Sequence, residues 1–220
     1  MRLFAADLAF NTRPLGKIPA DQKKGKAKVA ARIGSVYKPV GTAFDWLKRK
    51  SVSLGRAFSR MVAEKKFTEA AELLNKHMTG SARYTVGPFD GGLLHGKQQF
   101  ANKVSECLVV IDFKKVERYS KDVQKRVGFA KGGFATAARQ LGGVRGIPGF
   151  ATRQKAPGTG VVTGDGKTLT VTLTNEVRHI DKALDKAGEE RAVQHRTRAI
   201  NLNLERQMTR KAKKASRSLK

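Results

Sequence analysis

The side chains of this sequence that could do chemistry are few and mostly solitary. Asp90 and His95 share one glycine-rich stretch, which also holds the turn signals Gly87-Pro88 and Gly91-Gly92. A carboxylate and an imidazole so close could form a general acid–base pair. The same stretch reads more simply as a turn residue followed by a surface histidine. Cys107 opens the apolar run Cys107-Leu-Val-Val-Ile111, so it reads as an inert core thiol rather than a nucleophile. His77, His95, His179 and His195 lack the paired spacing of a zinc site, and the sole cysteine has no second thiol to join it. Gly166-Lys167-Thr168 has the form of the end of a phosphate-binding loop. However, Val161 stands where that loop needs its first glycine, and an alternating strand follows where a helix should. No Gly-x-Ser-x-Gly elbow occurs. The chemistry-bearing residues therefore predict no catalytic group, no cofactor and no metal, and a protein that is not an enzyme.

Charge is the more informative feature. The chain of 220 residues has 45 Lys and Arg against 18 Asp and Glu, a formal net charge of +27. Repulsion on that scale disfavours a compact state and calls for an acidic partner: nucleic acid, an anionic membrane surface or an acidic protein shell. With 40% hydrophobic residues the chain can bury a core, but at 7% aromatic content that core must rest on Ala, Val, Leu and Phe. No apolar run approaches the ~20 residues of a membrane helix, and Asp7 interrupts the first ten residues, which do not read as a signal peptide. A single cysteine allows no internal disulfide, and synthesis in the cytoplasm is the expectation.

The elements that would position any contact residue follow from periodicity. Residues 1–40 read as an extended basic arm, broken by Pro14, Pro19 and Pro39 and carrying the cluster Lys23, Lys24, Lys26 and Lys28. From Gly41 to Met78 the apolar spacing is helical and slips near Lys65, which predicts two helices or one broken helix, with Thr68 as a cap. Tyr84–Val86 and Cys107–Ile111 read as strands. Val116, Tyr119, Val123, Val127, Ala130, Phe134, Ala137 and Leu141 recur at three and four, predicting one nearly continuous helix with these residues on one face. Gly132-Gly133 inside it implies either a kink or the close approach of another backbone. Residues 142–166 read as a long contact loop. Thr168–Thr174 alternates strictly, with Leu169, Val171 and Leu173 inward, and pairs as a hairpin with Val161 and Val162 across Gly164-Asp165-Gly166. The last helix, from Lys186, carries the stripe Val193, Ala199 or Ile200, Leu204 and Met208. A basic tail follows over residues 209–220.

One stretch carries a resemblance. Val127-Gly-Phe-Ala-Lys-Gly-Gly-Phe-Ala-Thr-Ala-Ala-Arg-Gln-Leu-Gly-Gly143 resembles a segment of minor structural proteins of tailed bacteriophages and prophages. Arg145-Gly-Ile-Pro-Gly-Phe150 and Thr172-Leu-Thr-Asn-Glu-Val-Arg178 are similar too. The order of glycine-bearing helix, loop, strand and final helix over residues 106–206 resembles the tail-completion and minor-tail group; the basic N-terminal arm is additional to that pattern. The resemblance implies a ring- or shell-forming virion protein near the head–tail junction.

Together these readings predict an α+β fold: a small antiparallel sheet packed against the Val116–Leu141 helix, a C-terminal helix and extended basic arms. Residues 41–208 would form the core domain. The expected function is that of a virion structural protein of a tailed bacteriophage, made in the host cytoplasm and acting in head–tail joining or tail completion. Its partners would be portal, connector or tail subunits and copies of itself in a homo-oligomeric ring, with no membrane and with non-specific DNA contact alongside. The contact residues would be Lys23, Lys24, Lys26, Lys28, Arg145, Phe150, Arg153, Arg210, Lys211, Lys213 and Lys214. The alternative is a nucleic-acid-binding protein that uses arm and tail on the phosphate backbone; an enzyme centred on Asp90 and His95 is the third.

Overall fold

The computed structural model describes residues 2–13, 19–99, 101–164, 169–178 and 180–218. Its elements, in chain order, are α1 (Arg2–Asn11), α2 (Pro19–Val36), β1 (Tyr37–Pro39), α3 (Val40–Lys50), α4 (Val52–Ala63), α5 (Phe67–His77), β2 (Arg83–Gly87) and α6 (Leu93–Gln98). They continue with β3 (Glu106–Val110), α7 (Phe113–Lys125), α8 (Phe129–Gln140), α9 (Gly149–Thr152), β4 (Gly158–Gly164), β5 (Leu169–Asn175), α10 (Ile180–Ala183) and α11 (Lys186–Ser218). The fold is α+β, as the sequence predicts. The chain forms two compact units rather than one core domain: residues 26–125, and residues 1–25 with 126–220.

In the unit of residues 26–125, β1, β3 and β2 lie side by side in that order, all parallel. This parallel sheet is additional to the small antiparallel sheet that the sequence predicts, which is present as the ribbon β4–β5, and it has a physical reason. A parallel sheet is covered on both faces, so its central strand reads as an unbroken apolar run. Cys107-Leu-Val-Val is such a run, buried throughout as β3. The pleat sends Val109 to one face, with Leu47, Phe58 and Leu74 of α3, α4 and α5. It sends Leu108 and Val110 to the other, with Ile33 and Val36 of α2 and Val116 of α7. Each such side chain contributes ~1.5–3 kcal/mol when fully buried.

The prolines expected to break regular structure mark element starts instead. Pro19 opens α2, where its missing N–H costs nothing. Pro39 ends the edge strand β1 and precedes α3. The arm is therefore not extended: α2 forms because Val29, Ile33 and Val36 supply an apolar stripe just beyond the lysine cluster. Pro14 lies outside the described residues. The slip near Lys65 is real. Lys65 takes a left-handed conformation (φ 58°), and the Lys66 amide donates back to the Met61 carbonyl at 2.8 Å, closing α4. Lys66, not Thr68, sits at the cap of α5, without a side-chain bond.

The single helix expected over Val116–Leu141 is two. Gly128 adopts φ +94°, a conformation open to glycine, and the chain turns between α7 and α8. Val116 is buried with the parallel sheet, whereas Phe134 is buried in the other unit. Val127 is buried, but Val123 and Leu141 are only half-buried.

That other unit packs α1, α8, α9 and the start of α11 around Ala5, Leu8, Ala9, Phe134, Ala138, Ile147, Phe150 and Ala192. α8 also lies on the antiparallel ribbon β4–β5, where Val161 faces Thr172 and Val162 faces Val171. Residues 142–166 are thus not a free loop. Ile147, Phe150, Ala151 and Ala156 are core residues, and the remainder supplies β4. The turn expected at Gly164-Asp165-Gly166 falls in part on Asp165 and Gly166, which, with Lys167 and Thr168, lie outside the described residues.

Candidate functional site

The ribbon and α8 fit because glycine is on both sides. A Cβ on Gly158 would strike the Gly133 carbonyl oxygen, and one on Gly160 would strike the carbonyl oxygen of Ala137. A Cβ on Gly133 would collide with the Asn175 amide, and one on Gly132 would stand 2.7 Å from the Cβ of Gln154. Of the two readings of the glycine pair, close backbone approach is the one observed. Polar bonds fasten the contact: Asn175 Nδ2 donates to the Ala130 carbonyl at 2.7 Å, and the Gly160 amide donates to Gln140 Oε1 at 2.7 Å.

The faces of β5 follow the predicted alternation. Val171 and Leu173 are half-buried, and Thr170, Thr172 and Thr174 are exposed; Leu169 lies outside the described side chains. β4 is covered only at its start. Gly158 is buried, and from Val161 to Gly164 every residue is exposed. Val161 and Val162 are therefore surface residues, on a ribbon whose two strands pair, among the described residues, with each other alone.

The second surface belongs to α11. Its first turns are held against α1 by Gly188, Ala192, Arg196 and Ala199. Arg196 donates through Nε to Asp7 Oδ2 at 2.8 Å and through Nη2 to the Leu3 carbonyl at 3.1 Å. His195 Nδ1 stands 3.1 Å from Asp7 Oδ1. Asp7 is 8% exposed, so one buried carboxylate fixes the helix in place. α1 is fixed in turn by Lys131, which is fully buried; its Nζ donates to the Ala9 carbonyl at 2.7 Å. That places a cation on the last turn of α1, at the negative end of the helix dipole, where it is favourable. Burial pulls the Lys131 ammonium down to about 8, with Asp21 acting against the shift. Beyond Ala199 the helix leaves its support. Every residue from Ile200 to Ala212 is exposed.

The predicted contact residues fall into three groups. Lys23, Lys24 and Lys28 are exposed on α2 and Lys26 is half-buried, but their spacing spreads them round the helix instead of forming one patch. Arg145 and Arg153 are exposed, Arg153 Nε donating to the Gly149 carbonyl at 3.2 Å. Phe150 is no contact residue. It is 5% exposed, and its ring lies where a Cβ on Gly128 would be 2.9 Å away, so it packs the core. Arg210 and Lys211 are exposed on α11, which continues helically through Lys213 and Lys214, whose side chains lie outside the described ones. The basic tail is thus helix rather than extended chain. The sequence reading gave the ribbon as a hairpin but missed the exposure of Val161 and Val162 on it, and it missed Asp7 with Arg196, and Lys131. The Gly158-Thr159-Gly160 spacing was the available signal for the ribbon contact.

Asp90 and His95 do not meet as an acid–base pair. Asp90 accepts from the Tyr37 hydroxyl (2.7 Å) and from the amides of Gly92 (2.9 Å) and Leu94 (2.7 Å), which makes it the local cap of α6. His95 is a buried residue, not a surface one. Its Nδ1 lies 2.9 Å from the Tyr119 hydroxyl, and its amide donates to Tyr37 Oη at 3.1 Å. Burial, and then Arg32, hold its imidazole below the usual histidine range, with Asp90 opposing. Burial foremost pushes the Tyr37 phenol well up. A shallow cleft of about 370 Å³ opens beside this network, lined by Val86, Asp90, Leu94, Lys97 and Glu106 among others. Burial raises the Cys107 thiol, and Sγ donates to the Ser35 carbonyl at 3.3 Å, as suits an inert core residue.

Among the described residues no group of three or more His, Cys, Asp or Glu could hold a metal ion, and no helix is long and apolar enough to cross a membrane. Comparison with protein-family models, curated proteins and solved structures gives no match.

Proposed function

We propose that the protein is a non-enzymatic structural subunit of a tailed-bacteriophage virion, acting in head–tail joining or tail completion through contacts between subunits. The observation that carries this reading is the outer ribbon. Its strands have no third strand beside them among the described residues, and Val161 and Val162 are exposed at its far end. A two-stranded ribbon gains most from a further strand, and an open edge accepts one by backbone hydrogen bonding. The occupant is the ribbon of the next copy, which would propagate contacts round a ring. The resemblance of residues 127–143, 145–150 and 172–178 to minor phage structural proteins supplies the particle in which such a ring would sit.

The test is the mass of the purified protein at low and high salt, with and without Val162→Lys. Val162 is half exposed, so the substitution spares the fold. We expect rings that persist in salt, because apolar and strand contacts are screened far less than exposed charges. The lysine variant should be monomeric and absent from assembled particles. A monomer under all conditions that never associates with phage particles would overturn the reading.

A second reading, nucleic-acid binding, is favoured by the exposed Arg206 and Arg210 on α11. Under it, duplex affinity would fall with salt at a log–log slope of about −0.9 per phosphate neutralised, and replacing Arg210, Lys211, Lys213 and Lys214 would make the slope shallower.

A further inference from the structure

Helix α11 has two apolar sides and uses one. The side formed by Gly188, Ala192 and Ala199 is docked on α1. About a third of a turn away, at 3.6 residues per turn, Val193, Thr197, Ile200, Leu204 and Met208 follow one another at intervals of four, three, four and four. This is the spacing of a helix-pairing seam. Its large residues are exposed: Val193 47%, Ile200 49%, Leu204 52% and Met208 70%. Most helical stability in a protein comes from packing of an amphipathic face, and among the described residues none covers this half of α11. Four large apolar side chains in one row are also more than scattered surface residues require.

The charge decides which occupant fits. From Ile200 to Ser218 the helix carries six Lys or Arg against Glu205 alone. A second copy would bring the same local excess of charge to the same seam. An acidic helix would be attracted. The rows beside the seam hold Gln194, Asn201, Asn203 and Gln207, and the Arg196 that shares one of them is already paired with Asp7, so a partner can close over the seam with little charge to desolvate. Lys211 stands at its C-terminal end, and Arg206 and Arg210 lie beyond the neutral row on one side.

We propose that the distal half of α11 is a docking helix for an acidic amphipathic helix of another protein. The partner lays its Leu or Ile seam on Val193, Ile200, Leu204 and Met208, and its Asp or Glu side chains reach Arg206, Arg210 and Lys211. The apolar contact sets the affinity, and the charges set the choice of partner and the rate of encounter. The assignment rests on the assembly reading above, yet the two fail separately. Ring formation through the ribbon tests that reading, and peptide binding to the full chain tests this one.

The probe is a labelled helix of about three heptads with Leu and Ile at the seam and Glu elsewhere, titrated against the full-length protein by fluorescence anisotropy. A second peptide keeps the seam but replaces Glu with Lys, and a short duplex DNA serves as competitor. We expect the acidic peptide to bind at least tenfold tighter than the basic one. The Ile200→Ser/Leu204→Ser variant should weaken it at least tenfold. The Ile200→Met/Leu204→Met variant, which keeps the seam apolar, should bind as the parent does, so that loss in the serine variant reports the seam and not misfolding. Three results would overturn the proposal. In one, the serine variant binds the acidic peptide as the parent does, leaving charge alone as the cause. In another, the parent forms a dimer that the serine variant dissolves, making a second copy the occupant. In the third, duplex DNA displaces the peptide and binds both proteins equally, making nucleic acid the ligand of this helix.

Discussion

Lys131 is a buried cation on which the packing of α1 depends. Its stem fills the centre of a core and its ammonium closes the end of α1. Burial favours the neutral amine, so the folded state holds this proton less tightly than the unfolded chain does. The sign follows from linkage: stability rises with pH wherever the unfolded state binds more protons. The folded group titrates at about 8 against an ordinary 10.5. This lysine's contribution should therefore grow from pH 8 towards 10.5, by on the order of 2–3 kcal/mol. Urea unfolding at pH 7.5 and 9.5 checks it. Lys131→Met should remove that gain; an unchanged pH dependence in the variant would show that the buried amine is not its source. The histidine works at the other end of the scale. His95 is held below its usual range, so the stability tied to its neutral form is present above pH ~6.5 and is lost as pH falls through its lowered value.

At the scale of elements, the ribbon contact rests on backbone approach rather than on side-chain volume. Two glycines of β4 lie under α8, and one glycine of α8 lies over Asn175. A methyl at Gly160 would meet the side chain of Leu141, which can shift, and the backbone carbonyl of Ala137, which cannot swing aside. We expect Gly160→Ala to destabilise the protein by about 1–3 kcal/mol, the usual cost of overpacking. Gly142→Ala meets no such obstacle and differs only by its positive φ. Thermal unfolding of the two variants separates steric from conformational cost; equal losses would mean that the α8–β4 contact yields. The pairing of α1 with α11 is of another kind. Replacing Arg196 by Met leaves the buried Asp7 with only the exposed His195. The expected loss is about 3 kcal/mol, as for a broken buried ion pair, measured by chemical unfolding and accompanied by faster amide exchange in α1.

At the scale of the molecule, the chain is two units with separate cores, and one of them is continuous in sequence. Residues 26–125 contain the whole parallel sheet, both of its helical covers and the Asp90–Tyr37–His95–Tyr119 network. This fragment should fold by itself and unfold cooperatively. Its stability should decline as pH drops below ~6.5, for the reason given for His95. A fragment with no cooperative transition would show that its core depends on the remaining residues.

Much of this was legible in the sequence, because periodicity reports burial. The β5 alternation, the apolar run of β3, the helical spacing over residues 41–78 and the slip at Lys65 are local facts with local signals, and Gly132-Gly133 marked either a kink or a close approach. Other features have no local signal. An apolar run reports that a strand is covered on both faces, but not which segments lie beside it. Direction is set by which segments return beside it, and here β1, β2 and β3 are separated by whole helices. The spacing of Val116–Leu141 continues across Gly128 although its two halves belong to different cores, since a period carries no record of which core it faces. The stripe on α11 was readable as a stripe, but only tertiary structure shows that a different side of the helix is docked. The same holds for Lys131 and Asp7, whose types predict solvent. The sequence by itself determined the α+β class, the elements built on a repeating apolar face and the large positive charge. The tertiary structure alone decided which faces are covered, because burial depends on the residues that chain return brings together, and those are far apart in the sequence.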